Sequence, residues 1–352
     1  MRVLFDARPA RTCRTGIGRY AETLAALLRR GVPGHDCWSL GQDVALAARS
    51  PAEEELELPA LLEREAIDVF HAPLFHLPAL LPCRAVVTLH DAIPAVRPDL
   101  TAPGFAALFE TAQGAVTRAD AVICPSEHAR RDALAALDLP RGQVHVVPET
   151  PAACFQPLPG AEARALLGER APEAPFLLVV GSLEPRKNPL VVLDALAHLP
   201  EQDRPRAVFA GPLTALDVSA AARERDLAPW VRVLGPVSDP ELVALYVLAE
   251  ALVFPSLYEG FGLPPLEAFA CGTPVIASCA ASVPEVVGDA TLLFDPEDAR
   301  ALAERIGEVG SWDRAERTEQ VERGHARLAR FTPEVVRRRL GELYGELEGG
   351  VL

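Results

Sequence analysis

The chain has no hydrophobic run of the length that a membrane-spanning helix requires. Its longest apolar stretches, such as residues 175–181 and 85–89, are far shorter than the roughly 18 to 20 residues needed. The first ten residues, MRVLFDARPA, also lack the apolar core of a signal peptide. We therefore expect a cytoplasmic location. Peripheral contact with the inner face of a membrane stays open.

Closely spaced cysteine pairs are also missing. The seven cysteines stand far apart in the chain, at positions 13, 37, 83, 124, 154, 271 and 279. A structural zinc cage or a disulfide framework would need a pattern such as Cys-x-x-Cys or a dense, even set. We expect reduced thiols in packed positions and neither of those structures.

Basic charge is scarce, since 34 Lys and Arg residues face 49 Asp and Glu residues and the net charge is −15. A protein that binds nucleic acid usually carries a basic excess on its contact surface, so no nucleic-acid partner is expected. Residues 1–30 reverse this balance with arginines at positions 2, 8, 11, 14, 19, 29 and 30. That segment could meet an anionic substrate or a membrane surface, and a solvated basic surface explains it equally well.

Short runs of branched apolar residues alternate with helical patterns, which is typical of parallel sheets covered by helices. In the first half the predicted strands are 2–6, 67–70, 85–89, 121–124 and 144–147. After a proline-rich linker over 148–175 they are 176–180, 207–210, 231–234, 251–254, 275–277 and 291–294. We predict an α/β chain with Rossmann-like doubly wound domains over 1–155 and 156–330, then a helix within 331–352 that crosses back to the first domain or lies on the second.

The first motif is Gly16-x-Gly18-x-x-Ala21, which has the spacing of a dinucleotide-binding fingerprint. In that fingerprint the first glycine ends the first strand, whereas residues 7–15 intervene here, so the dinucleotide interpretation fails. Glycines at a helix start still allow close backbone approach to an anion. A contact to the phosphate or sugar of a ligand and a simple turn into a helix over 19–30 both stay open.

The second motif leaves a predicted buried strand at Gly181, presents Arg186 and Lys187, and enters a helix at Asn188. The N-terminus of a helix is already positive, so two cations beside it are unfavourable without an anion between them. The pattern therefore predicts a phosphate site, with a solvated basic pair as the alternative.

The third motif follows a predicted strand that ends at Phe254. Its loop carries Glu259, and Pro264-Pro265 begins a helix that contains Glu267. A carboxylate can accept from two neighbouring hydroxyls, and the free N–H groups of a helix start can face phosphates. We predict that the two glutamates flank one pocket.

With seven residues between Glu259 and Glu267, GSLEPRKNP over 181–189 before them and CGTPVIAS over 271–278 after them, the chain resembles family 4 of the retaining nucleotide-sugar glycosyltransferases. That family has the GT-B fold, in which two Rossmann-like doubly wound domains face each other across a cleft. The resemblance covers nearly the whole chain and is mannosyltransferase-like. It implies transfer of a hexose, mannose first, from GDP-mannose or a UDP-hexose to a saccharide or lipid-linked glycan, in bacterial surface polysaccharide or glycolipid synthesis.

The resemblance also implies roles in the second domain. Glu267 would hold the nucleotide ribose, Glu259 would contact the donor sugar, and Arg186 and Lys187 would neutralise the diphosphate and stabilise it as a leaving group. Backbone groups would line the donor at Gly181, Gly260, Phe261, Gly262 and Leu263.

In the first domain the family's cleft histidine, near the anomeric carbon, corresponds to His90, with Asp91 as its structural support. Gly16 and Gly18 would close over the donor. Ser126 and Arg130 also match the family pattern, and capping of a helix explains that serine equally well.

The chain contains no Asp-x-Asp pair, the usual means by which a glycosyltransferase holds a cation on its donor, so we expect transfer without a metal or other cofactor. Three other functions remain to be compared. A glycoside hydrolase has no use for a phosphate site beside a helix start. A nucleotide-sugar epimerase of the same fold would epimerise its donor without an acceptor, and a non-catalytic sugar-nucleotide-binding protein would have no need of both glutamates and His90.

Overall fold

A computed structural model describes residues 1–12, 16–46, 50–74, 76–101 and 105–350. The chain divides into two compact units, Met1–Thr150 with Phe331–Leu352, and Pro151–Arg330. The first unit ends at Thr150 rather than at the predicted 155, and the C-terminal segment belongs to it. Across the described residues each unit holds one six-stranded sheet whose strands all pair in parallel.

The elements of the first half are β1 Arg2–Asp6, α1 Pro9–Thr12, α2 Gly16–Arg29, β2 Asp36–Leu40, α3 Pro51–Arg64, β3 Val69–Ala72, β4 Arg84–Thr88, α4 Ile93–Val96, α5 Phe105–Arg118, β5 Ala121–Cys124, α6 Glu127–Ala136 and β6 Val144–Val146. Their strands lie in the order β2-β1-β3-β4-β5-β6. The strand β2 was not predicted. It lies at the sheet edge, and its sequence DCWSL lacks the branched apolar run by which the other strands were recognised.

Successive side chains of a strand point to opposite faces of the sheet, and both faces of this sheet are buried. Val3 and Phe5 belong to a core cluster with residues of α2, whereas Leu4 belongs to a cluster that includes Leu58 of α3 and other side chains. The C-terminal helix completes the first of these clusters through buried side chains that include Leu340. This packing places the C-terminal helix on the first unit.

The remaining elements are α7 Gly160–Leu167, β7 Phe176–Val180, α8 Pro189–His198, β8 Arg206–Ala210, α9 Val218–Glu224, β9 Val231–Gly235, α10 Asp239–Leu248, β10 Ala251–Phe254, α11 Leu263–Ala270, β11 Val275–Ser278, α12 Val283–Val287, β12 Leu292–Phe294, α13 Ala299–Ser311, α14 Arg314–Leu328 and α15 Pro333–Gly349. Among the described helices, none combines the length and the apolar character that crossing a membrane requires.

The second sheet has the order β12-β11-β10-β7-β8-β9, so its first strand, β7, lies beside its fourth, β10. This is the strand order of the dinucleotide-binding fold, in which ligands bind beyond the carboxyl ends of the strands at the point where the order reverses. The segments that follow β7 and β10 therefore lie next to each other. They are the second and third sequence motifs.

A capping side chain stands before a proline at Asn188, Asp239, Asp295 and Thr332, and this pattern predicts a helix start at each of them. Several of the observed helix starts differ from this prediction. The cap of α10 is Ser238, whose hydroxyl forms a capping box with Glu241, rather than Asp239. The cap of α13 is Asp298 rather than Asp295, while Thr332 caps α15 as predicted. In each shifted case a second capping residue lies within three positions of the first, and the sequence does not indicate which of them caps the helix.

Candidate functional site

The second motif is the turn between β7 and α8, and close backbone packing holds it at the carboxyl ends of the strands. Gly181 donates its N–H to the Ala210 carbonyl, and Gly211 follows with φ +148°. A Cβ at Gly211 would overlap the Gly181 carbonyl, so only glycine fits there. The backbone position at the start of the turn that carries Arg186 and Lys187 is therefore fixed by its contacts with Ala210 and Gly211.

Both cations of this turn bind one carboxylate from the third motif. The Lys187 Nζ donates to Glu259 Oε1 at 2.6 Å, and the Arg186 Nη1 donates to Glu259 Oε2 at 3.0 Å. Arg186 Nη2 also donates to Glu184 Oε1 at 2.9 Å. Lys187 is the only lysine in the sequence, and its ammonium lies 5.6 Å from the centre of the Phe254 ring. The four charged side chains form a cluster with no net charge.

Burial and charge act in opposite directions on the pKa values of this cluster. Burial alone would raise the pKa of Glu259, but the charges of Lys187 and Arg186 outweigh it and hold that pKa at about 2. Burial lowers the pKa of Lys187, and the neighbouring Arg186 lowers it further, against the opposing attraction of Glu259. Glu259 is 7% exposed, so the ion pair is shielded from solvent.

The backbone around Glu259 is held by hydrogen bonds from other segments. The Ser282 hydroxyl lies 2.8 Å from the carbonyls of Glu259 and Phe261, and the Leu257 N–H donates to the Arg186 carbonyl at 2.9 Å. Gly262 has φ +103° and begins α11 as its cap. Hydrogen bonds from other segments therefore hold the loop at several points.

Asn188 does not have the predicted capping role. It adopts a left-handed conformation with φ 53° and makes no side-chain cap, because its amide donates to the carbonyls of Pro255 and Pro296 instead. Its side chain thus joins the second motif to the loop that follows β10.

The second glutamate has a different environment. Glu267 is 1% exposed on α11, and the Tyr246 hydroxyl of α10 donates to its Oε2 at 2.9 Å. Phe261 and Leu263, on the intervening segment, are also buried. The structure thus gives the two glutamates separate partners within one unit.

In the first unit, Gly16 and Gly18 lie in the first turn of α2, whereas the predicted helix started at residue 19. The same motif supplies Tyr20, whose hydroxyl lies 3.0 Å from Thr88 Oγ1. The Tyr20 ring meets the His90 ring edge-on, with 4.7 Å between the ring centres. This motif therefore forms part of the packing around His90.

His90 lies just beyond the carboxyl end of β4 and is bonded at both ring nitrogens. Its Nδ1 is 3.1 Å from Glu149 Oε1, and its Nε2 is 3.0 Å from the Pro73 carbonyl. Burial lowers the pKa of His90, but the hydrogen bond to Glu149 and its charge outweigh that effect, so the pKa is raised. Asp91 also contributes charge, while its Oδ1 accepts from the Ile93 N–H.

The two minor candidates have local partners. Ser126 caps α6 by accepting from the Ala129 N–H at 2.9 Å. Arg130 Nε donates to the Val144 carbonyl at the first residue of β6. That is the end of β6 opposite to Glu149, so the structure does not bring Arg130 to His90.

Three partners of the predicted site residues were missed by the sequence prediction: Glu149, Glu184 and Tyr246. A signal existed for Glu149, because a charged side chain follows β6 as His90 follows β4, and carboxyl ends of parallel strands meet at one sheet edge. Glu184 stood within the second motif beside its cations. The sequence contains no signal for Tyr246, because its pattern does not distinguish it from the other apolar residues of a buried helix.

The ion pair at Glu259 predicts an acid dependence of stability. Because its folded pKa of about 2 lies below the ordinary 4.5, the unfolded chain binds more protons between these values. The contribution is complete above about pH 5 and is lost as the pH falls through about 2. Between these limits we expect the free energy of unfolding of the wild type to fall by about 3 kcal/mol more than that of Glu259→Gln. Urea titrations at each pH measure this, and parallel pH curves for the two proteins would contradict it.

Two family models match the sequence. The model described as "Glycosyl transferases group 1" matches residues 168–325, and the one described as "Glycosyltransferase Family 4" matches residues 47–149. The first covers the cluster of Arg186, Lys187 and Glu259 together with Glu267. The second covers His90 and Glu149.

Similar proteins point the same way. An O-antigen chain mannosyltransferase B of Escherichia coli is 30% identical over 87% of this chain and 90% of its own length. A serotype-specific mannosyltransferase WbdA of the same species is 31% identical over 67% of this chain, which is 30% of WbdA. The structure of a sucrose-phosphate synthase from Thermosynechococcus elongatus superposes with a TM-score of 0.79 over 99% of this chain and all of its own. At 22% identity that likeness shows the fold alone.

Proposed function

The chain belongs to family 4 of the glycosyltransferases, with the GT-B fold, and we propose that it moves mannose from GDP-mannose to a saccharide or lipid-linked acceptor. It is a glycosyltransferase of surface polysaccharide synthesis by its similarity to an O-antigen chain mannosyltransferase. The single observation that carries the choice of mannose is the 30% identity over 90% of the length of one such enzyme. A UDP-hexose is the second candidate donor.

We assign the diphosphate to Arg186 and Lys187, which we call the diphosphate clamp. In the structure these cations are neutralised by Glu259 and Glu184. The oxygens of a diphosphate would compete for the same N–H donors and gain charge-assisted hydrogen bonds. Glu259 would then turn its oxygens to the hydroxyls of the transferred sugar, and the cations would stabilise the departing nucleoside diphosphate.

We assign the ribose to Glu267. The Tyr246 hydroxyl holds one carboxylate oxygen and so fixes the plane of the carboxylate. Neighbouring ribose hydroxyls are paired donors that suit such a carboxylate. Because Glu267 lies on the helix α11 rather than on a loop, the geometry of its carboxylate is kept constant.

For the transfer itself we propose retention of configuration without a metal. The bond from the anomeric carbon to the phosphate oxygen breaks, and the acceptor oxygen bonds to that carbon on the same face. The proton of the acceptor hydroxyl passes to the departing phosphate oxygen. The clamp supplies the positive charge that the leaving group requires, which is the support for a metal-free reaction.

The donor is tested by thermal unfolding with GDP, UDP, GDP-mannose and UDP-glucose at equal concentrations. A ligand that binds only the folded state stabilises it by RT ln(1 + [L]/Kd), so at equal concentrations the tighter ligand gives the larger rise in melting temperature. We expect the GDP ligands to give the larger shift, and GDP-mannose to yield a mannosylated product with an oligomannoside acceptor. A larger shift with the UDP ligands would identify a UDP-hexose as the donor instead of GDP-mannose. Recovery of an epimerised donor in the absence of acceptor would identify the activity as epimerisation instead of transfer.

A further inference from the structure

The environment of His90 restricts where its protons can be. Its Nε2 faces the Pro73 carbonyl at 3.0 Å, and a carbonyl only accepts, so Nε2 carries a proton. Its Nδ1 faces Glu149 Oε1 at 3.1 Å. Neither nitrogen therefore presents a free lone pair to a third group.

One proton lies between Nδ1 and Glu149, and it can be bound to either of the two groups. Either the ring is a neutral Nε2–H tautomer that accepts from a protonated Glu149, or it is an imidazolium beside a carboxylate. Glu149 is 8% exposed, which makes a charged carboxylate costly unless it is paired with a positive partner. The paired state is the one that satisfies both groups.

We propose that Glu149 is a positioning residue that keeps His90 as an imidazolium, so that His90 donates a hydrogen bond from Nε2 and never acts as the general base. The neutral Pro73 carbonyl is the weaker of its two partners, so a substrate oxygen would replace it while the charged bond to Glu149 persists. The catalytic half of this inference rests on the proposed function, whereas the protonation of His90 does not.

The charged and titratable groups around His90 support this state. Glu149 faces it from the segment after β6, Asp91 from its own loop and Tyr20 from α2. Both carboxylates raise the pKa of His90, and the Tyr20 hydroxyl bonds to Thr88 rather than to the ring. Since this pKa is raised, the imidazolium persists to a higher pH than that of an ordinary histidine and is lost as the pH rises through the raised value.

Nitrogen-15 NMR of histidine-labelled protein tests the protonation without any donor. At about pH 6.5, where an ordinary histidine is half protonated, we expect the wild type to show both His90 nitrogens protonated, because the pKa of His90 is raised. In Glu149→Gln we expect Nδ1 to lose its proton while Nε2 keeps it, because Pro73 still accepts there. In Glu149→Asp the imidazolium should return. A neutral His90 ring in the wild type would overturn the proposal even if the variants fail to fold, and a fully protonated ring in Glu149→Gln would also overturn it.

The kinetic test uses the pH profile of kcat. In the wild type kcat should fall as the pH rises through the raised pKa of His90, and in Glu149→Gln this fall should move to lower pH. In a His90→Gln background, Glu149→Gln should change kcat by less than about twofold, since the two residues act as a unit. An unmoved alkaline limb would overturn the positioning role. If no donor tested supports transfer while both His90 nitrogens are protonated, the proposed function fails and the inference about protonation stands.

Discussion

Loss of the diphosphate clamp is expected to weaken binding of GDP by about 100- to 10,000-fold, because hydrogen bonds between charged groups contribute about 1.5 to 3 kcal/mol each. Binding of guanosine should change by less than about threefold, since the nucleoside carries none of the charges that Arg186 and Lys187 meet. The measurement is calorimetric titration of both ligands into the Arg186→Met/Lys187→Met variant.

The variant has to keep its fold for this comparison. Removing both cations would leave the charge of Glu259 buried without a cationic partner, at a cost of about 3 to 5 kcal/mol. Both substitutions are therefore made in a Glu259→Gln background, and that single variant is the reference. Arg323→Met is the matched control, because Arg323 forms an exposed ion pair with Glu319 on α14 of the same unit. Equal weakening of GDP binding and guanosine binding would contradict the assignment of the diphosphate to Arg186 and Lys187.

Replacement of His90 by glutamine is expected to lower kcat by about 100- to 1,000-fold, which is the usual effect of removing one positioned donor at a reacting centre. GDP affinity should stay within about twofold, because the proposed nucleotide contacts come from the second unit. Steady-state kinetics together with calorimetry separate the two effects.

The matched control is His128→Gln in the same unit. His128 also stands beside a carboxylate, with Nε2 3.2 Å from Asp132 Oδ2, and neither residue is assigned to the site. A His128 variant as slow as the His90 variant would show that the loss reflects general disruption of histidine–carboxylate pairs. A His90 variant with near-normal kcat would refute the role of His90.

The sequence predicted the strands well where burial dictates composition. A parallel strand covered by helices on both faces needs branched apolar residues throughout, so runs such as residues 176–180 identify themselves. The edge strand β2 carries no such run and was missed. Helix starts were less predictable, because Asp295 and Asp298 offer equivalent capping groups and only tertiary packing chooses between them.

The partners within the site depend on strand order, which local pattern does not encode. Arg186 and Glu259 are far apart in the chain and meet because β7 lies beside β10. The sequence analysis assigned them to a diphosphate and to a sugar, and nothing in the local pattern indicated that they bond to each other. Glu149 was missed for the same reason, since only the placement of β4 and β6 in one sheet brings it to His90.

The central claim, metal-independent transfer with retention, is tested most directly by one NMR spectrum. GDP-mannose carrying carbon-13 in its sugar is incubated with an oligomannoside acceptor in excess EDTA, and the coupling of the new anomeric carbon to its proton is recorded. We expect a product that forms in the presence of the chelator with the anomeric configuration of the donor. An inverted linkage, or a product that forms only after manganese is restored, would contradict it.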